Sequence, residues 1–152
     1  GDGPTGGGDR LLAVDQPPHL DAPRRSAVGD AAGQTKPTTG GGLVYGLLGA
    51  RAAAETVMEA FHKSNFGAGV LKGYESRWRR QLGREIKIGG VFRRLCEQLK
   101  DSEIDELFRI VRSDGILPAV ASKARFDWHK DVILLAFRHP SLGRIFLKGL
   151  TR

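Results

Sequence analysis

Residues 28–43, "VGDAAGQTKPTTGGGL", break the pattern of an otherwise ordinary chain. An acidic residue, Asp30, sits among very small ones, and a Pro37-Thr38-Thr39 turn follows. Gly40, Gly41 and Gly42 then run straight into an apolar, alanine-rich segment. Glycines at a helix start leave backbone N–H groups bare at its positive end, an arrangement that accepts anions and carbonyl oxygens. A carboxylate close to the same end accepts hydrogen bonds from ligand hydroxyls. Together these features describe a nucleotide-type cofactor site, a combination that neither general acid chemistry nor metal binding needs. A capped glycine turn ahead of a packed helix accounts for the same residues as well, so the residues alone leave two readings open.

Downstream of Gly42 the hydrophobic period becomes helical. Over residues 42–61, Leu43, Leu47, Ala50, Ala54, Val57, Met58 and Phe61 mark an apolar face. Gly46, Gly49, Ala50 and Ala53 form a second stripe of small residues. Each glycine inside a helix costs roughly 1 kcal/mol relative to alanine, so something must approach this backbone closely. Packing against a sheet and proximity to a ligand both satisfy that requirement.

The rest of the chain reads as helices, five in all after a short strand and loop. Leu71, Tyr74, Trp78, Leu82, Val91, Phe92, Leu95 and Leu99 recur on one face of a long segment, with Gly83 and Gly89-Gly90 as points where it bends or breaks. Ser102 and Asp105 have the spacing of a capping box ahead of a face formed by Ile104, Leu107, Phe108 and Val111. Residues 126–140 give a further helix stopped near Pro140, and residues 141–150 a last amphipathic turn or two. Upstream, residues 1–9 read as flexible, residues 10–14, "RLLAV", as a strand, and residues 15–25, with three prolines, as irregular. Residues 26–28 read as a strand remnant leading into Gly29-Asp30.

At 152 residues the chain has room for a real core. A single cysteine, Cys96, rules out an internal disulfide and suits a reducing, cytoplasmic setting. It reads as a small buried hydrophobe. No Cys/His cluster has zinc spacing, and no metal is expected. His19, His62, His129 and His139 share no spacing that would build a site and read as surface or capping residues, while Trp78 and Trp128 read as core or rim aromatics. The net charge of +7 is unevenly spread: residues 1–61 carry five Lys/Arg against seven Asp/Glu, residues 62–152 nineteen against ten. Such a basic part suits nucleic acid, an anionic membrane face or an acidic partner. The run Arg77, Arg79, Arg80, Arg84 and Lys87 reads as a solvated face.

The stretch "GDAAGQTKPTTGGGLVYGLLGARAAAE", residues 29–55, resembles the second flavin-binding signature of the aromatic-hydroxylase-like FAD superfamily, and within it the geranylgeranyl reductase family. The resemblance continues more loosely to residue 152. It implies that Asp30, after Gly29, hydrogen-bonds the ribityl chain of FAD. It implies too that Gly40, Gly41, Gly42 and Leu43 bring main-chain amides to the pyrophosphate and the pyrimidine end of the flavin, with Pro37 shaping the loop beside the ring. The implied fold class is mainly α, the helical C-terminal part of an α/β FAD-binding fold. Residues 1–28 are irregular apart from the strand, 29–63 form the second half of an FAD site, and 64–152 form a helical region. The implied activity is saturation of isoprenoid C=C bonds in a geranylgeranyl lipid or prenyl diphosphate by hydride from reduced FAD. The electron donor would be NAD(P)H or ferredoxin. Peripheral membrane contact is implied and nucleic acid is not. No catalytic side chain is identified.

Two departures qualify the resemblance. The family holds the ADP half of FAD with an N-terminal βαβ unit bearing G-x-G-x-x-G; here "GDGPTGGG", residues 1–8, lacks the flanking strand and helix of such a unit. The chain therefore reads as part of a larger enzyme, inactive by itself. Residues 15–28 also read as an insertion, since joining Val14 to Gly29 restores the strand-to-Gly-Asp pattern. A flavin monooxygenase or halogenase is a rival of the same chemical class. A non-enzymatic basic helical binding module is a rival of another class, against which stands the lack of a nucleic-acid motif.

Overall fold

The computed structural model describes residues 26–150, with side chains to residue 148. The expected strand at 10–14 and the irregular segments at 1–9 and 15–25 lie outside the described residues. What is described is mainly α-helical. A 3-10 turn, Gly29–Ala32, precedes α1 (Leu43–His62), α2 (Ala68–Glu97), α3 (Asp101–Ser113), α4 (Leu117–Lys123), α5 (Lys130–Arg138) and α6 (Pro140–Leu150). No sheet forms among the described residues. Residues 26–28 are not a strand, although Val28 is extended, and Arg125 and Trp128 make one isolated antiparallel bridge. The chain divides into two compact units meeting between Gly83 and Arg84.

In the first unit α1 packs on the 3-10 turn. Gly42 is its N-cap, as the glycine triplet predicts. The buried face is not the expected one. Tyr45, Gly49, Ala52, Thr56 and Ala60 turn inward, while Leu43, Leu47, Met58 and Phe61 are more than half exposed. Tyr74, Trp78 and Leu82 of α2 are buried in the same unit, with Arg77 reaching α1. The Arg77 guanidinium donates to Thr56 Oγ1 at 2.5 Å and pairs with Glu59, which Lys63 also holds at 2.5 Å. These two cations hold the Glu59 carboxyl well below its usual range, at about 2, the Lys63 hydrogen bond contributing most.

The expected break in α2 does not occur: the helix runs through Gly83 and Gly89-Gly90 without interruption. Well-buried Leu82 and Leu95 flank these glycines, so burial outweighs a propensity cost of about 1 kcal/mol per glycine. Val91, expected in the core, is 36% exposed.

The second unit is built on Leu95, Ile110, Ile116, Leu142, Ile145 and Phe146. Phe92, Phe137 and Phe146 pack against one another with ring centroids 5.3–6.1 Å apart. α6 lies against α3 and α5, and α4 against α5. The α3 cap differs from the expected Ser102–Asp105 pair. Helix α3 starts two residues earlier, with Lys100 as its N-cap, and Glu103 accepts a hydrogen bond from the Lys100 N–H at 2.9 Å. The inward face of α3 shifts with it: Ile110 is buried, whereas Ile104 and Phe108 face out. Helix α4, with Pro118 in its first turn, is an element the periodicity does not predict. Pro140 stops α5 and opens α6, which runs for three turns rather than one or two. Glu85, buried on α2, accepts from the Lys130 N–H at 2.9 Å and so anchors the start of α5.

Candidate functional site

The conspicuous loop folds back on itself between two tight turns. The Gly29–Ala32 turn closes with the Gly33 N–H donating to the Asp30 carbonyl and the Gln34 N–H to the Gly29 carbonyl, both at 3.0 Å. Pro37 is buried, and a second turn begins there: the Gly40 N–H donates to the Lys36 carbonyl at 2.8 Å, and the Lys36 N–H to the Gly41 carbonyl at 3.0 Å. Gly29 and Gly40 both have φ near +70°, a left-handed conformation that costs glycine little and other residues more.

These turns bring Asp30 and the glycine triplet together. A Cβ built on Gly42 would lie 2.5 Å from Asp30 Oδ1 and 3.1 Å from Thr35 Cγ2. The carboxylate thus lies directly over the N-cap of α1. Asp30 is exposed and its carboxylate accepts no hydrogen bond from another described residue. The three glycines are not equivalent. The Gly40 amide is committed to the Lys36 carbonyl, and the Gly41 amide faces Thr39 Oγ1 at a long 3.5 Å. Amides open to a ligand are therefore those at Gly41 and beyond, in the first turn of α1, where no intrahelical acceptor exists. Leu43, 79% exposed, stands beside them. Chemically the arrangement combines acceptor oxygens for hydroxyls with amide donors and a helix dipole for anionic or carbonyl oxygens.

What holds the loop in place is a chain of hydrogen bonds that sequence reasoning missed. Gln34 is fully buried; its Oε1 accepts from the Gly29 N–H at 2.8 Å and its Nε2 donates to the Tyr74 hydroxyl at 2.8 Å. Tyr74 in turn donates to the Ala27 carbonyl at 2.6 Å. Burial pushes the Tyr74 hydroxyl pKa up, opposed by the bond from Gln34. Both neighbours of Asp30's turn are therefore pinned to α2. Gln34 lies so close to α1 that a Cβ on Gly49 would sit 1.8 Å from its Oε1. The paired glycines of α1 thus admit the loop itself: Gly49 faces Gln34, and Gly46 faces Gly29 Cα at 3.6 Å. The small-residue stripe was the signal for this approach, though not for its partner.

Among the described residues no group of three or more His, Cys, Asp or Glu side chains could hold a metal ion, and no helix is long and apolar enough to cross a membrane. Trp78 Nε1 and His139 Nδ1 are buried without a hydrogen-bond partner.

Several archaeal proteins are similar in sequence. Digeranylgeranylglycerophospholipid reductase 2 of Methanothermobacter thermautotrophicus is 39% identical over 82 residues, 54% of this chain and 21% of that protein. The protein of the same name from Methanopyrus kandleri is 33% identical over 115 residues, 76% of this chain and 28% of its own length. Digeranylgeranylglycerophospholipid reductase of Methanocaldococcus jannaschii is 34% identical over 121 residues, 78% of this chain and 28% of that protein. The chain thus spans less than a third of the length of the curated relatives it matches. No family model matches it, and no solved structure does either.

Proposed function

We propose that this chain, which belongs to the geranylgeranyl reductase family, supplies the ribityl and pyrophosphate side of the FAD site in an enzyme that saturates isoprenoid C=C bonds. The observation that carries the reading is the placement of an exposed, unpartnered Asp30 carboxylate over the Gly42 N-cap of α1. The fit to FAD is chemical: a polyhydroxyl chain needs acceptors, and Asp30 offers them; a diphosphate and a flavin carbonyl need donors, and the amides from Gly41 to the first turn of α1 offer those.

When bound, FAD supplies the hydride that reduces the alkene. The residues of this chain orient and stabilise. Asp30 accepts from the ribityl hydroxyls. Gly41, Gly42 and Leu43 present main-chain N–H groups that stabilise negative charge at the pyrimidine end. Gly40 shapes the turn through its positive φ, and Pro37 and Gly29 fix the two ends of the loop. The substrate is an isoprenoid glycerophospholipid or a prenyl diphosphate, the names of the relatives favouring the former. Electrons come from NAD(P)H or ferredoxin.

The test is Asp30→Ala in the full-length enzyme. Hydrogen bonds with a charged acceptor are worth about 1.5–3 kcal/mol each. Flavin affinity then falls roughly ten- to a hundredfold, read as bound flavin per protein by absorbance, with circular dichroism unchanged. Full flavin occupancy in Asp30→Ala would sink the assignment.

A further inference from the structure

The loop from Val28 to Leu43 carries two charged residues, and the fold treats them differently. Asp30 is exposed, whereas Lys36 is only 7% exposed. Lysine is rarely covered to this degree, because taking an ammonium out of water is costly. Backbone hydrogen bonds fix where its side chain starts. The Lys36 N–H donates to the Gly41 carbonyl at 3.0 Å, and the Lys36 carbonyl accepts from the Thr39 and Gly40 N–H groups at 3.3 and 2.8 Å. From there the side chain folds over the glycine triplet: a Cβ built on Gly41 would lie 2.8 Å from Lys36 Cε and 3.3 Å from its Nζ. Gly41, unlike Gly40, has no positive φ, so its backbone conformation does not call for glycine. Space for the lysine head does. The ammonium therefore lies against the Gly41 backbone, while Asp30, which pairs with no described cation, stands on the side of Gly42.

We propose that Lys36 provides a fixed positive charge that favours reduced over oxidised flavin at the Gly41 amide. The proposal rests on the functional reading above, in which the amides of Gly41, Gly42 and Leu43 face the pyrimidine end of FAD. Taking up two electrons and one proton leaves the flavin with a negative charge shared by N1 and the C2 carbonyl oxygen, and a cation close by stabilises that charge. The amide dipoles at the start of α1 act in the same sense, and the ammonium adds a whole unit of charge to their partial ones. Its burial strengthens the effect, since little water is left around it to screen the attraction. A cation on the surface, such as exposed Lys72 on α2, is screened instead.

The experiment measures the flavin reduction potential of the full-length holoenzyme against a reference dye, in native, Lys36→Met, Lys36→Gln and Lys72→Met forms. Methionine keeps an unbranched stem against Gly41 and removes the charge. Without the charge, binding of reduced flavin weakens relative to oxidised about tenfold or more, a fall of about 30 mV or more for a two-electron couple. Sulfite, which adds to N5 of the oxidised ring and leaves negative charge at the same N1 edge, binds both Lys36 variants about tenfold more weakly. Lys72→Met keeps the native potential and the native sulfite affinity. An unchanged potential in the Lys36 variants overturns the proposal, even if flavin affinity falls, since equal loss of both redox forms puts the ammonium at the diphosphate. Loss of folding in both variants, seen by circular dichroism, overturns it too and makes Lys36 a strut of the loop. Asp30→Ala is judged on flavin occupancy alone. If it loses flavin while the Lys36 variants keep the native potential, the cofactor reading stands and this proposal falls; a native enzyme that binds no flavin sinks both.

Discussion

Gly49→Ala is the sharpest probe of how the candidate loop is held. The added Cβ would lie 1.8 Å from Gln34 Oε1, 2.5 Å from its Cδ and 2.8 Å from its Nε2. Gln34 is fully buried, so its amide has no open space to enter and must give up its bonds to Gly29 and Tyr74. Overpacking costs about 1–3 kcal/mol. A buried amide left without partners costs about 1–3 kcal/mol more. Against these stands about 1 kcal/mol of helix propensity gained by replacing glycine with alanine. The balance is a loss of about 1–5 kcal/mol, a fall in Tm of roughly 2–20 °C for a chain of this size. Gly46→Ala, one turn earlier, gains the same propensity, but its Cβ meets only Gly29 Cα at an ordinary 3.6 Å. It should be neutral or stabilising by up to about 1 kcal/mol. Urea and thermal unfolding followed by circular dichroism compare the two. In a Gln34→Ala background the penalty at Gly49 should largely vanish, a coupling of about 2 kcal/mol or more. Equal stability of the Gly46 and Gly49 variants, or no coupling to Gln34, would refute the steric account.

Tyr74→Phe removes the acceptor of the Gln34 amide and the donor to Ala27, and should cost about 1–3 kcal/mol in urea unfolding while leaving helix content intact. The carboxyl of Glu59 is lowered from 4.5 to about 2, so its contribution to stability is complete above pH 4.5 and is lost as pH falls towards 2. Acid titrations of Tm should therefore show a steeper decline in that window for the native chain than for Glu59→Gln; parallel curves would contradict the ion-pair assignment. The 152 residues by themselves, whose sequence shows no βαβ unit for the ADP half, should leave added FAD with its free-solution fluorescence, and stoichiometric quenching would show that the cofactor site is complete within them. Gly42→Ala in the full-length enzyme should lower flavin affinity without unfolding the chain, because its Cβ displaces the exposed Asp30 carboxylate rather than a buried group.

Local chemistry was enough to place the helix start at Gly42, the stop at Pro140 and the meeting of Asp30 with the glycine triplet. Caps, prolines and positive-φ glycines act over a few residues, so their consequences can be read from a few residues. The Gly-Asp loop was equally plain, as was the helical character of everything after it.

Which side of each helix would be buried was another matter. A hydrophobic period names the residues that gain from burial, yet the partner decides which face meets it. In α1 the partner is a loop rather than a sheet, and a loop can approach only where side chains are small; the Gly49 face is therefore inside, and Leu43, Leu47, Met58 and Phe61 are left outside. Gln34 shows the same limit from the other direction. In the sequence it is a polar residue in a glycine-rich stretch, with nothing to mark it for burial. Only the folded chain brings Gly29, Gly49 and Tyr74 around it, satisfying its amide at both ends and so making a fully buried glutamine the support of the Asp30 turn.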